Sequence, residues 1–264
     1  MNIRQQLDYK DGYYKINREE RNLAAIFYHT LLLGDNLKNF LIQIDSKFPL
    51  VDNEMGIYFE YAFIRDLWCS IKPDNGFKRK LILDMLQPIN RVDLEKLSIF
   101  DFNKYFGANR TLSAEYIASP GNWSVRYFDK SILDNGEFLK VCKFKWCFNA
   151  KPDIVIHTSH TTAICIEAKF ESGEGKYPSN DFEKEIFRNR GIDLVGQLSI
   201  QKKIMEEILG IQTEYIFLVQ RKSMTETHKA WTWQEVFANL DTTMCPFFIN
   251  EWLKRSDINL QDEN

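Results

Sequence analysis

No other stretch of the chain limits its fold as tightly as residues 151–170, KPDIVIHTSHTTAICIEAKF. Two runs rich in β-branched residues, Ile154 to Thr158 and Thr162 to Ile166, flank a polar tip around Ser159 and His160. Such residues suit a pleated, half-buried surface, so the stretch predicts a β-hairpin. Side chains alternate faces along a strand. Glu167 and Lys169 therefore point the same way, as do Asp153, Val155 and His157. Pairing Asp153 opposite Glu167 places residues 157 and 163 opposite each other, with an odd-numbered loop centred on His160 and both carboxylates on one face. Like charges directly across a ladder are destabilising. A divalent cation held by oxygen ligands would resolve that conflict, and Lys169, two residues past the second acid, completes the set. The plain reading is that Pro-Asp merely opens a strand, since short motifs of this kind also arise by chance.

The chain has 264 residues, enough to bury a substantial core in one domain with insertions or in one and a half domains. Its 20 Phe and 11 Tyr predict an aromatic interior. The net charge of −3 is mild, so contact with nucleic acid must come from local patches rather than from a basic whole. The sequence has no apolar run of membrane-spanning length and opens without a signal-peptide pattern, so the expectation is a cytoplasmic protein with no membrane partner. Five cysteines (69, 142, 147, 165 and 245) form an odd set without a C-x-x-C pair, which predicts reduced, buried thiols. A zinc site from Cys142, Cys147, Cys165, His157 and His160 has the wrong spacing, because Cys142 and Cys147 fall on opposite faces of a predicted strand.

Along the chain, Asn17 and Glu20 have the spacing of a capping box, opening a helix that runs to Gly34. Asp35 caps a second helix carrying Leu37, Phe40, Leu41 and Ile44. Residues 1–50 thus predict an N-terminal helical layer. A third helix is predicted from Asn53 to Trp68, with Ile57, Tyr61, Ile64 and Trp68 as its buried stripe. Glu60 sits within that stripe, where a carboxylate is costly unless paired or metal-bound; a salt bridge and a third acidic ligand are the two readings. Residues 72–135 read as a helical insertion, with helices over Phe77–Leu86 and Val92–Phe106 and a strand at Trp123–Phe128. From Glu137 the pattern turns to β: Phe144, Trp146 and Phe148 alternate with Lys143, Lys145 and Cys147. After the hairpin, Glu171 to Asn180 suits a mobile loop. Asp193 caps a helix ending at Gly210, with Gln197 and Gln201 one turn apart on its inward stripe as core hydrogen bonders or as groups reaching the acidic site or a phosphate. Tyr215–Val219 is a strand, Thr232 and Glu235 form a capping box opening a helix to Leu240, and Phe247–Arg255 is a last helix. Trp231 and Trp233 look exposed.

The order helix, three β segments, helix, strand, helix, with Pro152-Asp153 on the second β segment and Glu167-Ala168-Lys169 on the third, resembles the PD-(D/E)XK superfamily of restriction-endonuclease-like nucleases. The resemblance covers roughly residues 53–240 and implies an α/β fold: an αβββαβ core with a central mixed sheet flanked by helices. That core would occupy residues 51–245, with its insertion at 72–135, followed by a C-terminal helix and tail at 246–264. It further implies that Asp153 and Glu167 bind Mg²⁺ (or Mn²⁺) with the backbone carbonyl of Ala168, and that Lys169 positions and polarises the attacking water. A helix Glu matching Glu60 often joins such a site, with Glu54 and Glu115 as competitors for that role, and a Q-x-x-x-Q helix like that of Gln197 and Gln201 occurs in several branches.

The chemistry fits independently of the resemblance. Phosphodiester hydrolysis needs phosphate charge neutralised, a water activated and a leaving oxygen stabilised, which Mg²⁺ on a carboxylate cluster can supply. A neighbouring ammonium can lower the effective pKa of that water, a task for which arginine is poorly suited. The leading expectation is therefore a Mg²⁺-dependent nuclease acting on DNA in restriction, defence or repair, with a homodimer favoured for double-strand cutting. The alternative is a non-catalytic nucleic-acid-binding or protein-interaction module on the same fold. A small-molecule hydrolase using His157 or His160 has no nucleophile beside either ring.

Overall fold

The computed structural model describes residues 6, 20–108, 115–170, 173–221, 229–247, 249 and 250. The chain folds as two compact units that alternate in sequence. One comprises Met1–Glu60, Asp153–Gly173 and Glu214–Asn264; the other comprises Tyr61–Pro152 and Glu174–Thr213. The class is α/β, with a five-stranded mixed sheet flanked by helices.

The sheet has strand order β1-β2-β3-β6-β7, where β1 is Gly56–Phe59, β2 Ile154–His157, β3 Thr162–Ala168, β6 Gln212–Val219 and β7 Ala230–Thr232. Strands β1, β2 and β3 run antiparallel, and β6 and β7 run parallel. The hairpin register is the one the sequence predicts, with Ile154 opposite Ile166 and His157 opposite Ala163. The tip is closed by hydroxyls: Ser159 Oγ accepts from the Thr161 and Thr162 N–H groups and lies 2.7 Å from Thr162 Oγ1. Even-numbered residues of the hairpin (Ile154, Ile156, Ile164, Ile166 and Ala168) enter one core with Leu23, Phe27 and Leu31 of helix Glu20–Leu31 and Phe40 and Leu41 of helix Asn36–Gln43. Odd-numbered residues 153, 155, 163, 165 and 167 therefore line the opposite face. At about 1.5–3 kcal/mol for each fully buried Ile, Leu or Phe relative to exposure, this core fixes which face the acids take, because slipping by one residue would turn every apolar side chain out.

The two predicted N-terminal helices are present but shorter than predicted: the first ends at Leu31, before Gly34 at φ +52, and the second runs Asn36–Gln43 with Asp35 at its start making no side-chain cap and Ile44 just past its end. The third predicted helix is a different structure. Asn53 and Glu60 both take left-handed backbone, at φ +68 and +53, and between them Gly56–Phe59 pairs with β2. Helix begins only at Phe63. The aromatic and β-branched run Ile57-Tyr58-Phe59 pairs with an available strand, and that tertiary pairing overrides the coincidental helical spacing of Ile57 with Tyr61 and Ile64. Glu60 is therefore a strand-end residue rather than a helix residue.

The second unit is built from helices Phe63–Ser70, Asn75–Leu86, Arg91–Lys96, Ile99–Tyr105, Val125–Phe128, Asn135–Cys147, Asp181–Arg190 and Gln197–Lys202, the last continuing as a π-helix over Lys203–Ile208. Short strands β4 (Lys176–Tyr177) and β5 (Val195–Gly196) pair antiparallel. The predicted strand through Phe144, Trp146 and Phe148 is helix, started by Asp134, whose carboxylate accepts the Glu137 N–H. Its apolar residues alternate because the helix is enclosed on several sides: Phe144 meets Trp123, Trp146 meets Tyr177 and Phe187, and Phe148 meets Trp68. Trp123–Phe128 is likewise no strand but leads into a single helical turn. The predicted helix Val92–Phe106 is two, split where Ser98 caps the second by accepting the Asp101 N–H. The helix carrying Gln197 and Gln201 begins at Gln197 rather than near Asp193, its cap supplied from elsewhere by Glu174, which accepts the Leu198 N–H. Part of the expected loop at 171–180 is strand β4. The cap at Asn17 and the last helix beyond residue 250 lie outside the described residues.

All five cysteines are free, and all but Cys69 are buried. Burial drives the Cys147 thiol up to about 12 and Cys142 higher still, which makes them inert packing groups. Among the described residues no helix is long and apolar enough to cross a membrane.

Candidate active site

The candidate site lies at the end of the hairpin away from its tip. Asp153 immediately precedes β2, Glu167 is the penultimate residue of β3, and Lys169 follows its last residue, Ala168. The structure brings these side chains together. Asp153 Oδ2 accepts the Ala168 N–H at 2.8 Å, and Lys169 Nζ lies 2.7 Å from Glu167 Oε1. Glu167 is only 2% exposed and Lys169 9%, an unusual depth for either type. The other Asp153 oxygen, Oδ1, has no hydrogen-bond donor among the described residues.

A third carboxylate, which the sequence reading missed, reaches the same place. Glu20 opens helix Glu20–Leu31, and its Oε1 accepts the Phe170 N–H at 2.9 Å. The spacing of Asn17 and Glu20 points to a cap, and a cap conceals the second use of Glu20. The available signal was that Leu23, Phe27 and Leu31 bury one face of this helix, which commits the side chain one turn before Leu23 to the sheet as well.

The electrostatics follow from crowding. Burial first, and the facing Glu167 second, push the Asp153 carboxyl up from 3.8 to about 7; Glu20 adds to the rise, while the Ala168 N–H and Lys169 oppose it. For Lys169, burial favours the neutral amine, yet Glu167, Asp153 and Glu20 together outweigh it and hold the ammonium above its ordinary value. Three acids thus surround one base, an excess of negative charge in a poorly solvated place.

The remaining candidates lie differently. Glu60 is half-buried and pairs with Arg21 at 2.9 Å, while its backbone N–H donates to the Asp153 carbonyl at 2.8 Å. Of its two readings, the salt bridge is visible in this contact. Glu54 accepts the His160 N–H at the hairpin tip, and Glu115 is an exposed residue of the second unit whose carbonyl accepts from Asn75. Gln197 and Gln201 also belong to the second unit. They start one helix a turn apart, with Gln201 buried and Gln197 Oε1 occupying the space a side chain on Gly175 would need. Trp233 is buried rather than exposed, at 1%, and Trp231 is half-buried.

The donor set at residues 153 and 167 is entirely carboxylate oxygen, the hard-ligand chemistry of Mg²⁺ and Mn²⁺. Among the described residues no three His, Cys, Asp or Glu groups form a ready-made chelating cage. The free Asp153 Oδ1 and the raised Asp153 pKa are the observations that fit a cation here.

No protein-family model, curated protein or solved structure matches this chain.

Proposed function

We propose that this chain is a Mg²⁺-dependent nuclease that hydrolyses phosphodiester bonds, with DNA as substrate, on a restriction-endonuclease-like core. The observation that carries the reading is the convergence of Asp153, Glu167 and Lys169 at one end of a hairpin, with acid in excess. The order of elements in the sheet and around it supports it: helices Glu20–Leu31 and Asn36–Gln43, then β1, β2 and β3, then helices Asp181–Arg190 and Gln197–Lys202 before β6, with the long segment 61–152 between β1 and β2.

In this reading Asp153 and Glu167 hold the ion and Glu20 reinforces the negative field around it. Bound there, Mg²⁺ would supply Lewis-acid neutralisation of the phosphate and a more acidic water. Beside a cation held by Asp153 and Glu167, the Lys169 ammonium would donate hydrogen bonds to the attacking water and to the phosphate oxygens that gain charge in the transition state. The buried Lys169–Glu167 pair also has a bland interpretation, a structural ion pair in a module without turnover. The test separates the two. Purified chain should nick plasmid DNA in Mg²⁺ or Mn²⁺, and Lys169→Ala should abolish cleavage while retaining the fold. Absence of cleavage of DNA and RNA with every divalent metal tried would leave only the module.

A further inference from the structure

Lys169 works only if its side chain is aimed, and just past the end of a strand the ladder no longer does the aiming. The backbone around it is instead clamped at three points. The Lys169 N–H donates to the Leu218 carbonyl of β6 at 2.7 Å. The Lys169 carbonyl accepts from the Trp233 indole Nε1–H at 2.8 Å, a fully buried hydrogen bond. The next amide, the Phe170 N–H, donates to Glu20 at 2.9 Å. The peptide unit joining residues 169 and 170 is therefore gripped from both sides.

Trp233 is itself set by local structure. Val219 pairs with Thr232 where β6 and β7 run parallel, so the strand that receives the Lys169 N–H also registers the start of the following helix, Trp233–Ala238. The Thr232–Glu235 capping box fixes that start, with Trp233 as its first residue. Phe27 and Phe237 then pack against the indole, with ring centroids 6.0 and 6.3 Å away. A side chain needed only to fill this aromatic core would not require a donor; the indole N–H is the one polar group it carries, and it goes to Lys169.

We infer that Trp233 is the positioning residue of the site: its indole N–H fixes the Lys169 peptide and so holds the Lys169 ammonium against Glu167. The catalytic consequence rests on the nuclease reading above; the geometric one does not. Without the indole donor the Lys169 carbonyl is left buried and unpaired, a state costly enough that the peptide turns to find a new partner. The ammonium, at the far end of four methylenes, moves with it.

The experiment uses the full chain with Trp233→Phe and, to preserve shape and packing while removing only the donor, with benzothienylalanine at position 233. Two quantities are read: steady-state cleavage in Mg²⁺, and the ε-carbon NMR resonance of Lys169 in ¹³C-lysine-labelled, metal-free protein. The expected result for both variants is a kcat lower by about 10- to 100-fold with KM within about two-fold, the scale of misplacement by about 1 Å. The Lys169 resonance should shift toward that of an exposed lysine. A benzothienylalanine protein that keeps the native resonance and native kcat overturns the inference, and so does a kcat loss that only tracks the unfolded fraction. If the unsubstituted chain cleaves nothing, the nuclease reading falls by itself. The resonance still decides the role of Trp233: a shift supports it and an unmoved signal refutes it.

Discussion

Two shielded cations, one in each unit, show what a balanced charge and an unbalanced one look like. Arg190 closes helix Asp181–Arg190 in the second unit. Its five N–H donors make five hydrogen bonds: to the Asp129 carboxylate and carbonyl, the Ile132 and Leu133 carbonyls, and the Asn135 amide oxygen. Its plane stacks 4.0 Å from the Phe138 ring centre. One carboxylate neutralises it and every donor is used, so nothing is left over for a ligand. Lys169 has the reverse surroundings: three carboxylates face one ammonium, and among the described residues no donor reaches Asp153 Oδ1. A buried charge that is fully answered holds a fold together. One that is over-answered by acids leaves room for a second cation.

The largest expected difference is in catalysis. Lys169→Ala should lower cleavage by about 1,000-fold or more, the scale of losing a transition-state donor in a dry site, while Arg190→Met should leave the rate per folded molecule unchanged. Rates normalised to the folded fraction decide the comparison; equal losses would mean that both cations are structural. Next in size is stability. Arg190→Met strands the Asp129 carboxylate and several carbonyls, and should cost about 3 kcal/mol by denaturant titration, with Mg²⁺ giving no rescue. Lys169→Met should destabilise the metal-free chain because three acids then lack their base, and there Mg²⁺ should restore what was lost.

The pH dependence sharpens the same contrast. Asp153 is raised in the folded state, from 3.8 to about 7. Below pH 4 both folded and unfolded chains are protonated at this group, and its stabilising contribution is fully present. Between pH 4 and 7 only the unfolded chain ionises, so stability falls as pH rises and the loss is complete once the folded carboxyl ionises near pH 7. Lys169 is held protonated across this window and does not reverse the trend. Metal-free thermal melts should therefore weaken from pH 5 to 8, by on the order of 1–3 kcal/mol. Asp153→Asn should flatten the profile. Mg²⁺, competing with the proton, should stabilise most above pH 7, by about 2.7 kcal/mol at a hundred times its Kd. A flat metal-free profile in the unsubstituted chain would mean that Asp153 is not held above its ordinary value.

The hairpin was legible because its information is local. β-branched runs, a polar tip and alternation specify a hairpin and its faces from twenty residues, and pairing Asp153 with Glu167 across it gives the register that the strands adopt. The groups around it depend on what the strand ends meet. Glu20 lies far away in sequence and is positioned by the packing of Leu23 and Phe27. Trp233 reaches Lys169 only through the parallel pairing of β6 with β7. The assignment of Glu60 to a helix fails for the same reason: a four-residue strand forms there because β2 offers a partner, and no periodicity within 53–68 records that partner. In Phe144, Trp146 and Phe148, alternation arises from a helix buried on several sides, which period alone does not separate from a strand.

The smallest expected effect compares two helix caps of similar strength. Thr232 accepts the Glu235 N–H at 3.1 Å at the start of the helix bearing Trp233, and Asp134 accepts the Glu137 N–H at 2.9 Å at the start of helix Asn135–Cys147. Removing either cap with Thr232→Ala or Asp134→Ala should cost about 1 kcal/mol of stability, so by that measure the two lesions match. Only the first loosens the helix start that holds the indole donor against Lys169. Cleavage per folded molecule should therefore fall a few-fold in Thr232→Ala and stay level in Asp134→Ala, with thermal melts confirming that the two proteins are equally weakened. Equal rates in the pair would show that the chain behind Lys169 tolerates slack, and that the grip of Glu20 and Leu218 alone suffices to aim it.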